Sequence, residues 1–361
     1  MHRLSIDELR IESIAARPLS VPLREPFVIA TGRVDATRAV EIEVRLDVEG
    51  ESFSGLGEAA CLPPVTREDQ PDVLVAVGQA AVAVARGARA GDVRASLGPV
   101  ARAGFDTALH DAVARARGLP LRVLLGGAPG VASLETDVTV AIASPEKMAE
   151  LARGWAARGF SLLKVKVGKD LDADLRALEA IGRAVPHGRL RVDANAGYTS
   201  SEAIAVARAC ERLGLAVECW EQPCAADDLD GMARVAGAVR APVVADESVK
   251  TLGDLRALLA RRYAGGVNLK LAKTGSLEEC VQIGREARAA GLRIMVGGMV
   301  ETRLGMTAAA HVACAVGGAD FVDLDTAWLL DGDPYEGGYV ADGPHYGMPD
   351  TPGLGVTRRA P

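Results

Sequence analysis

Two lysines stand two residues apart in the run "LLKVKVG", which is apolar enough for a buried strand. A strand would point Lys164 and Lys166 to the same side, bringing like charges together. Further along, other β-rich runs carry charged residues near their ends. Asp193 falls in "LRVDAN", Glu221 in "VECWEQP", Asp246 in "PVVADES", Lys270 in "GVNLKLAKTG", Glu301 in "RIMVGGMVE", and Asp323 with Asp325 in "FVDLDT". From Lys166 to Lys270 the steps are 27, 28, 25 and 24 residues, each the length of one β/α repeat. Asp193, Glu221 and Asp246 on consecutive strands repel one another if bare, and a divalent cation removes the conflict. All-oxygen ligation selects a hard ion, and Mg2+ keeps positions open for substrate oxygens. The competing reading is three structural salt bridges to Lys or Arg. The regular spacing favours the metal, because buried charge is rarely left without a partner or an ion.

The lysine pair then acquires a use. Near a cation and beside Lys164, Lys166 is expected to lose its proton more easily than a free lysine, and a neutral amine is a usable base. Lys270, four strands further round, could face the other side of a bound carbon and return a proton. The plain alternative for the pair is two snorkelling side chains at a strand end.

These residues need elements to hold them. Residues 11–48 hold two alternating runs around a segment with Pro22, Pro26 and Gly32, which predicts antiparallel strands joined by a loop. Residues 72–93 and 99–117 are Ala-rich with helical spacing of apolar residues, so 1–125 is expected to be an α+β unit. After Gly126 and Gly127, eight strand candidates (135–142, 162–168, 190–195, 217–223, 242–248, 266–275, 293–301 and 321–326) are separated mostly by helix-sized intervals. That pattern predicts successive β/α units over 126–330 and a closed barrel, whose strand ends share one mouth. A doubly wound open sheet is the alternative, without the glycine fingerprint of its dinucleotide-binding form. The tail, 331–361, rich in Gly, Pro and Asp, is expected to pack back over the first unit.

Bulk properties exclude other classes. The chain has 361 residues, 49% hydrophobic and 25% charged, with a formal net charge of −7 and no long basic run, which argues for a small-molecule substrate over nucleic acid. No apolar signal core opens the sequence and no run is suited to a bilayer, so a cytoplasmic protein without a membrane partner is expected. The six cysteines (Cys61, Cys210, Cys219, Cys224, Cys280, Cys314) lack metal-site spacing and are expected to be buried thiols.

Taken in order, "KVKVG", "DAN", "EQP", "ADES", "NLKLAKTG" and "GGMVET", with "VPLREPF" and "GLGEAA" upstream, resemble the enolase superfamily over essentially the whole chain. The branch is that of muconate cycloisomerases, o-succinylbenzoate synthases, N-succinylamino-acid racemases and dipeptide epimerases. The resemblance implies an N-terminal α+β capping domain and a (β/α)7β barrel of the TIM type. It also implies one Mg2+ on Asp193, Glu221 and Asp246, which holds a substrate carboxylate and stabilises the enediolate formed when the α-proton leaves. Within the matched motifs it makes Gly298, Met299 and Glu301 part of the substrate wall and Asn195 and Glu247 supporting residues.

The eighth strand separates the branches. A strand places Asp323 and Asp325 on one face. Such a D-x-D resembles that of dipeptide epimerases, where it receives an α-ammonium, and two carboxylates match a cation. The expectation is 1,1-proton transfer at the α-carbon of the C-terminal residue of a dipeptide, with Lys166 and Lys270 as acid and base and Lys164 tuning Lys166 and touching the substrate carboxylate. The alternatives are an N-succinylamino-acid racemase, an o-succinylbenzoate synthase or a cycloisomerase-type lyase, none needing that pair, and a barrel that binds without catalysis. A homo-oligomer is expected, since many such barrels assemble.

For side-chain preference, the capping loops are 24–35 and 61–70. Ala-Glu epimerases carry an arginine in the first loop; here its place falls on Gly32, with Arg33 one residue along. Glu25, Asp35, Glu68 and Asp69 make these loops acidic, which would suit a cationic or apolar dipeptide, although the plainer reading of each is a solvated loop charge. His110 and His311 lie in Ala-rich helical stretches and read as core or interface residues, and Trp220 and Trp328 could line the pocket or simply pack.

Overall fold

The structure, a computed structural model, describes residues 5–130 and 132–360. Met1 to Leu4, at the opening read above as lacking an apolar signal core, lie outside the described residues. Strands Ile11–Leu19, Arg38–Val48 and Glu51–Cys61 form an antiparallel sheet in that order. The third strand, which contains "GLGEAA", is one that alternation alone did not predict. Its glycines let the helix Pro99–Ala116 lie directly on the sheet: a Cβ on Gly57 would stand 2.0 Å from the Gly104 carbonyl oxygen, and one on Gly55 2.1 Å from that of Ala108. Ile42, Val44, Phe105 and Leu109 bury the interface.

The segment expected as a loop is itself a hairpin, Pro22–Ile29 with Gly32–Ala36, pairing Phe27 with Val34. The Ile142 N–H donates to the Val28 carbonyl (2.9 Å), fixing the hairpin to the end of the first barrel strand. The helix expected over 72–93 is two helices, Gln70–Ala85 and Ala90–Ser96. Gly87, at φ +96°, turns the chain between them.

The barrel has eight parallel strands: Val138–Val140, Leu162–Lys166, Arg189–Asp193, Ala216–Glu221, Val243–Ala245, Gly266–Leu269, Arg293–Gly297 and Phe321–Asp323. Helices cover every crossover, including Pro145–Ala157 after the first strand and Arg303–Ala315 after the seventh, which makes the (β/α)7β arrangement. Capping boxes at Thr199 with Glu202 and at Thr251 with Asp254 start two of these helices on the strand-end side. The first and eighth strands share no ladder. At the seam the Asp137 N–H donates to the Val322 carbonyl (3.1 Å) and Thr136 Oγ1 accepts the Leu324 N–H (2.9 Å).

Several strands are shorter than expected, and two of the differences bear on the site. The sixth ends at Leu269, and Leu271–Thr274 is a helical turn capped by Gly275 at φ +69°. The eighth ends at Asp323, and Asp325 occupies the N-cap of the short helix Thr326–Leu329. Strand alternation therefore does not set Asp323 and Asp325 on one face. The tail reaches both parts of the chain. Its strand His345–Met348 pairs with Ala132–Glu135 beneath the barrel, while Arg358 bonds Glu41 (2.6 Å) of the N-terminal sheet. All six cysteines are free thiols, five buried and Cys314 partly so. Among the described residues no helix is long and apolar enough to cross a membrane.

Candidate active site

Along the second strand Leu163, Val165 and Val167 pack outward into the helix layer, so Lys164 and Lys166 point inward. Lys164 Nζ stands 3.0 Å from Asp193 Oδ2, 2.7 Å from Glu221 Oε2 and 2.6 Å from Asp323 Oδ2. Lys166 Nζ donates to Asp193 Oδ2 as well (2.6 Å). The two like charges are thus drawn together by a carboxylate from the neighbouring strand. Across the mouth, Lys270 Nζ donates to Asp246 Oδ2 (2.8 Å) and lies 3.9 Å from Glu221 Oε1. All of these groups are buried, Asp323 being the most exposed at 7%.

Lys273, Asn268, Gln222 and Glu58 were missed from sequence. Lys273 bonds Asp246 and also donates to the Asp246 and Asn268 carbonyls (2.7 and 2.8 Å). Its signal was the step of three from Lys270, one helical turn, hidden by reading the run as strand. Asn268 Nδ2 donates to Glu221 Oε1 (2.7 Å), and Gln222 Oε1 accepts the Asp246 N–H (2.8 Å). Glu58, on the N-terminal sheet, accepts the Thr302 and Gly305 N–H groups beside Glu301.

The supporting residues gather as follows. The Asn195 N–H donates to Asp193 Oδ1 (2.9 Å), and its side chain reaches Glu247 (3.4 Å). Glu301 Oε1 accepts the Met299 N–H (2.7 Å). Asp325 Oδ2 accepts the Thr139 N–H across the barrel seam, so Asp323 and Asp325 both line the cavity although only the first belongs to the strand.

Electrostatics follow from burial and this crowding. Burial alone would lower Lys164, but Asp193, Asp323 and Glu221 hold its ammonium well above the usual lysine range. Lys270 is likewise raised, Asp246 and Glu221 outweighing burial. Burial raises several of the carboxylates: Glu221, with Asp193 adding to it against the pull of Lys164; Glu247 to about 7, with Asp246 and Asp193 adding to it; and Asp325 to about 6, with Asp323 adding to it. Glu301 is pushed up to about 7 by burial. Asp193 and Asp246 are lowered, their lysines overcoming burial.

Seven acidic side chains (Asp193, Glu221, Asp246, Glu247, Glu301, Asp323, Asp325) share the site with four lysines (Lys164, Lys166, Lys270, Lys273), and three of the seven, Glu247, Glu301 and Asp325, are raised toward neutral pH. Among the described residues no three His, Cys, Asp or Glu side chains converge tightly enough to hold a metal as they stand, since lysine nitrogens lie between the carboxylates. The donor set nevertheless fits a hard divalent cation. It is all oxygen, Asp193 and Glu221 end the third and fourth strands and Asp246 directly follows the fifth, and Glu247 Oε2 and Asn195 Oδ1 at its edge lack hydrogen-bond partners.

The cavity over this cluster is lined by Lys166, Asn195, Lys270, Gly298, Met299, Asp323 and Asp325 and roofed by Phe27, Ile29, Leu62 and Val65. Its volume is about 30 Å3, so the hairpin and the loop after Cys61 close down on it. The acidic loop residues face elsewhere: Glu25 binds Lys147 (3.2 Å), Asp35 binds Arg33 (2.8 Å), Asp69 binds Arg38, and Glu68 accepts the Val100 N–H (2.8 Å). These are loop charges rather than cavity lining, the roof over the cavity is apolar, and Arg33 is held at the surface. His110 and His311 are buried in helices, and Trp220 packs in the barrel core away from this cavity.

Residues 11–126 match the family model "Mandelate racemase / muconate lactonizing enzyme, N-terminal domain", and residues 147–360 match "Enolase C-terminal domain-like". An L-Ala-D/L-amino acid epimerase of Populus trichocarpa is 38% identical, over 98% of this chain and 85% of that protein. An L-Ala-D/L-Glu epimerase of Bacillus subtilis is 35% identical over 96% and 97%. The crystal structure of a dipeptide epimerase from Cytophaga hutchinsonii, complexed with Mg and the dipeptide D-Ala-L-Val, superposes with a TM-score of 0.89 at 29% identity, covering 97% of this chain and 96% of that one.

Proposed function

Because this chain belongs to the mandelate racemase and muconate lactonizing enzyme family of the enolase superfamily, we propose on that premise that it is a dipeptide epimerase. It inverts the α-carbon of the C-terminal residue of a dipeptide by two-base 1,1-proton transfer. One observation carries the reading. Lys166 ends the second strand and Lys270 follows the sixth, half a turn apart in an eight-stranded barrel, with Asp193 and Glu221 ending the third and fourth strands, Asp246 following the fifth, and Asp323 and Asp325 at the eighth. The similarity to epimerases, one of them solved with Mg and a dipeptide, supports the substrate class.

In this reading one Mg2+ per subunit is held by Asp193, Glu221 and Asp246. When bound it supplies Lewis-acid stabilisation to the substrate carboxylate. Lys164 keeps its ammonium and donates to that carboxylate. The dipeptide's own ammonium goes to Asp323 and Asp325, which fixes the α-carbon of the second residue between Lys166 and Lys270. One lysine, neutral, takes the α-proton from one face; the other, as ammonium, returns a proton to the opposite face, so one C–H bond breaks and one forms. Glu301, Gly298 and Met299 wall the site, Asn195 and Glu247 support its rim, and Phe27, Ile29, Leu62 and Val65 exclude water. Elimination chemistry on substrates without an amine gives Asp323 and Asp325 no substrate group to bind beyond their contacts with Lys164 and Thr139. A cytoplasmic homo-oligomer remains part of this reading.

The test is a mixed dipeptide library incubated in D2O with MgCl2 and followed by mass spectrometry. Deuterium should enter the α-position of C-terminal residues only, and removal of Mg2+ should stop it. Turnover of succinylbenzoate-type substrates with no dipeptide exchange would overturn the assignment.

A further inference from the structure

Beside the reaction cavity lies a second cavity of about 170 Å3 that shares Phe27 and Thr139 with it. Its walls come from Leu151 and Trp155 on the helix Pro145–Ala157, Trp328 on the short helix Thr326–Leu329, and Ala141 after the first strand. The two indoles are set in place. Phe160 meets each of them edge-on at 5.5 and 5.9 Å, and Trp328 Nε1 donates to the Tyr346 hydroxyl (2.7 Å). The Arg158 guanidinium lies at the rim, 4.3 Å from the Trp155 ring centre and 5.2 Å from that of Trp328, without an ion-pair partner among the described residues. Glu25, the one carboxylate on the lining, is taken up by Lys147.

The position of this cavity says which part of a substrate reaches it. Thr139 is its doorway, and the Thr139 N–H is bound by Asp325. A dipeptide whose ammonium sits on Asp323 and Asp325 therefore has its first α-carbon at that doorway, while its second lies under the roof between the lysines. We propose that the second cavity receives the side chain of the N-terminal residue, and that this side chain is bulky and apolar, aromatic by preference. The inference rests on the dipeptide reading above. An apolar cavity of about 150 Å3 accommodates benzene, so 170 Å3 suits one phenyl ring, whereas the methyl of alanine would leave most of it unfilled. Edge and face contacts with Trp155 and Trp328 favour a ring, and Arg158 can close over it as a cation on a π face. A cationic side chain would meet Arg158 and Arg24.

The experiment measures kcat/KM for dipeptides with C-terminal leucine and N-terminal Phe, Leu, Ala, Lys or Glu. Phe-Leu and Leu-Leu should exceed Ala-Leu by at least about tenfold, the lower range for methylene-sized differences in an apolar pocket, with Lys-Leu the poorest. Ala141→Phe, which fills the cavity from outside the reaction site, should bring Phe-Leu down to the level of Ala-Leu while Ala-Leu changes little. Leu151→Trp fills it from the opposite wall and serves if the first variant does not fold. Equal rates across the N-terminal series, or a Glu-Leu preference that collapses in Arg158→Ala, would overturn the proposal while leaving the epimerase assignment standing. No turnover of any dipeptide would overturn both.

Discussion

Lys164 and Lys166 converge on a single oxygen, Asp193 Oδ2, at 3.0 and 2.6 Å. Two buried ammonium groups are stable at this spacing because the next strand answers them with a carboxylate, and Glu221 and Asp323 answer Lys164 again. Lys270, 3.9 Å from Glu221, balances the third carboxylate. Asp193, Glu221 and Asp246 are at the same time an all-oxygen set able to accept the charge of a divalent cation in place of these ammonium contacts.

Accepting that charge should stabilise the fold. A divalent cation at a hundred times its dissociation constant contributes about 2.7 kcal/mol if it binds the native state alone. MgCl2 should raise the Tm of metal-stripped protein where NaCl of equal ionic strength does not, and Asp193→Asn should lose most of the rise. An unchanged Tm in the native protein would remove the case for a metal.

Asp325 is expected to recognise a free amine. Asp325→Asn keeps an oxygen to accept the Thr139 N–H but loses the charge, and a hydrogen bond to a charged group contributes about 1.5–3 kcal/mol. kcat/KM on free dipeptides should fall by roughly 10- to 100-fold, chiefly through KM. The native enzyme's preference for free over N-acetylated dipeptides should shrink in the same proportion. A variant that keeps the full preference would show that the ammonium binds elsewhere.

Acid should weaken the fold through His311. Its Nδ1 accepts the Arg122 N–H (3.1 Å), and burial lowers its pKa to about 3, Arg122 adding to the effect. The unfolded chain, with histidine near 6.5, binds the proton first. The stabilisation is therefore complete above about pH 6.5 and is lost as pH falls from there toward about 3, roughly 3 kcal/mol by pH 4.5. His110 works in the opposite sense, because Asp106 and Glu278 outweigh burial and raise its pKa. Urea unfolding at pH 7.5 and 5 should show a smaller loss for His311→Gln than for the native chain; equal losses would clear His311 of the effect.

How legible was this architecture? Asp193 and Glu221 stood out because each is a charged residue at the inward end of an apolar run, and the β/α period repeats between them. Lys273 did not, because "LKLAKTG" continues a strand-like composition past Leu269, where the barrel edge ends pairing and the chain turns helical. Asp323 and Asp325 were found for an incomplete reason: both reach the cavity, but Asp325 does so from a helix start against Thr139. The hairpin carrying Phe27 and Ile29 was hidden by Pro22 and Pro26, which read as breakers although an isolated two-stranded hairpin has free edges where proline costs no ladder bond. Glu58 beside Glu301 joins two distant parts of the chain, and no local pattern marks such a pair.

The central claim is that Lys166 and Lys270 serve opposite faces of one carbon, and stereospecific exchange in D2O tests it most directly. With Mg2+ present, Lys166→Ala and Lys270→Ala should each lose epimerisation, yet each should still exchange the α-hydrogen of one epimer, and the two variants should exchange opposite ones. If either variant epimerises at the native rate, or both exchange the same epimer, the two-lysine account is contradicted.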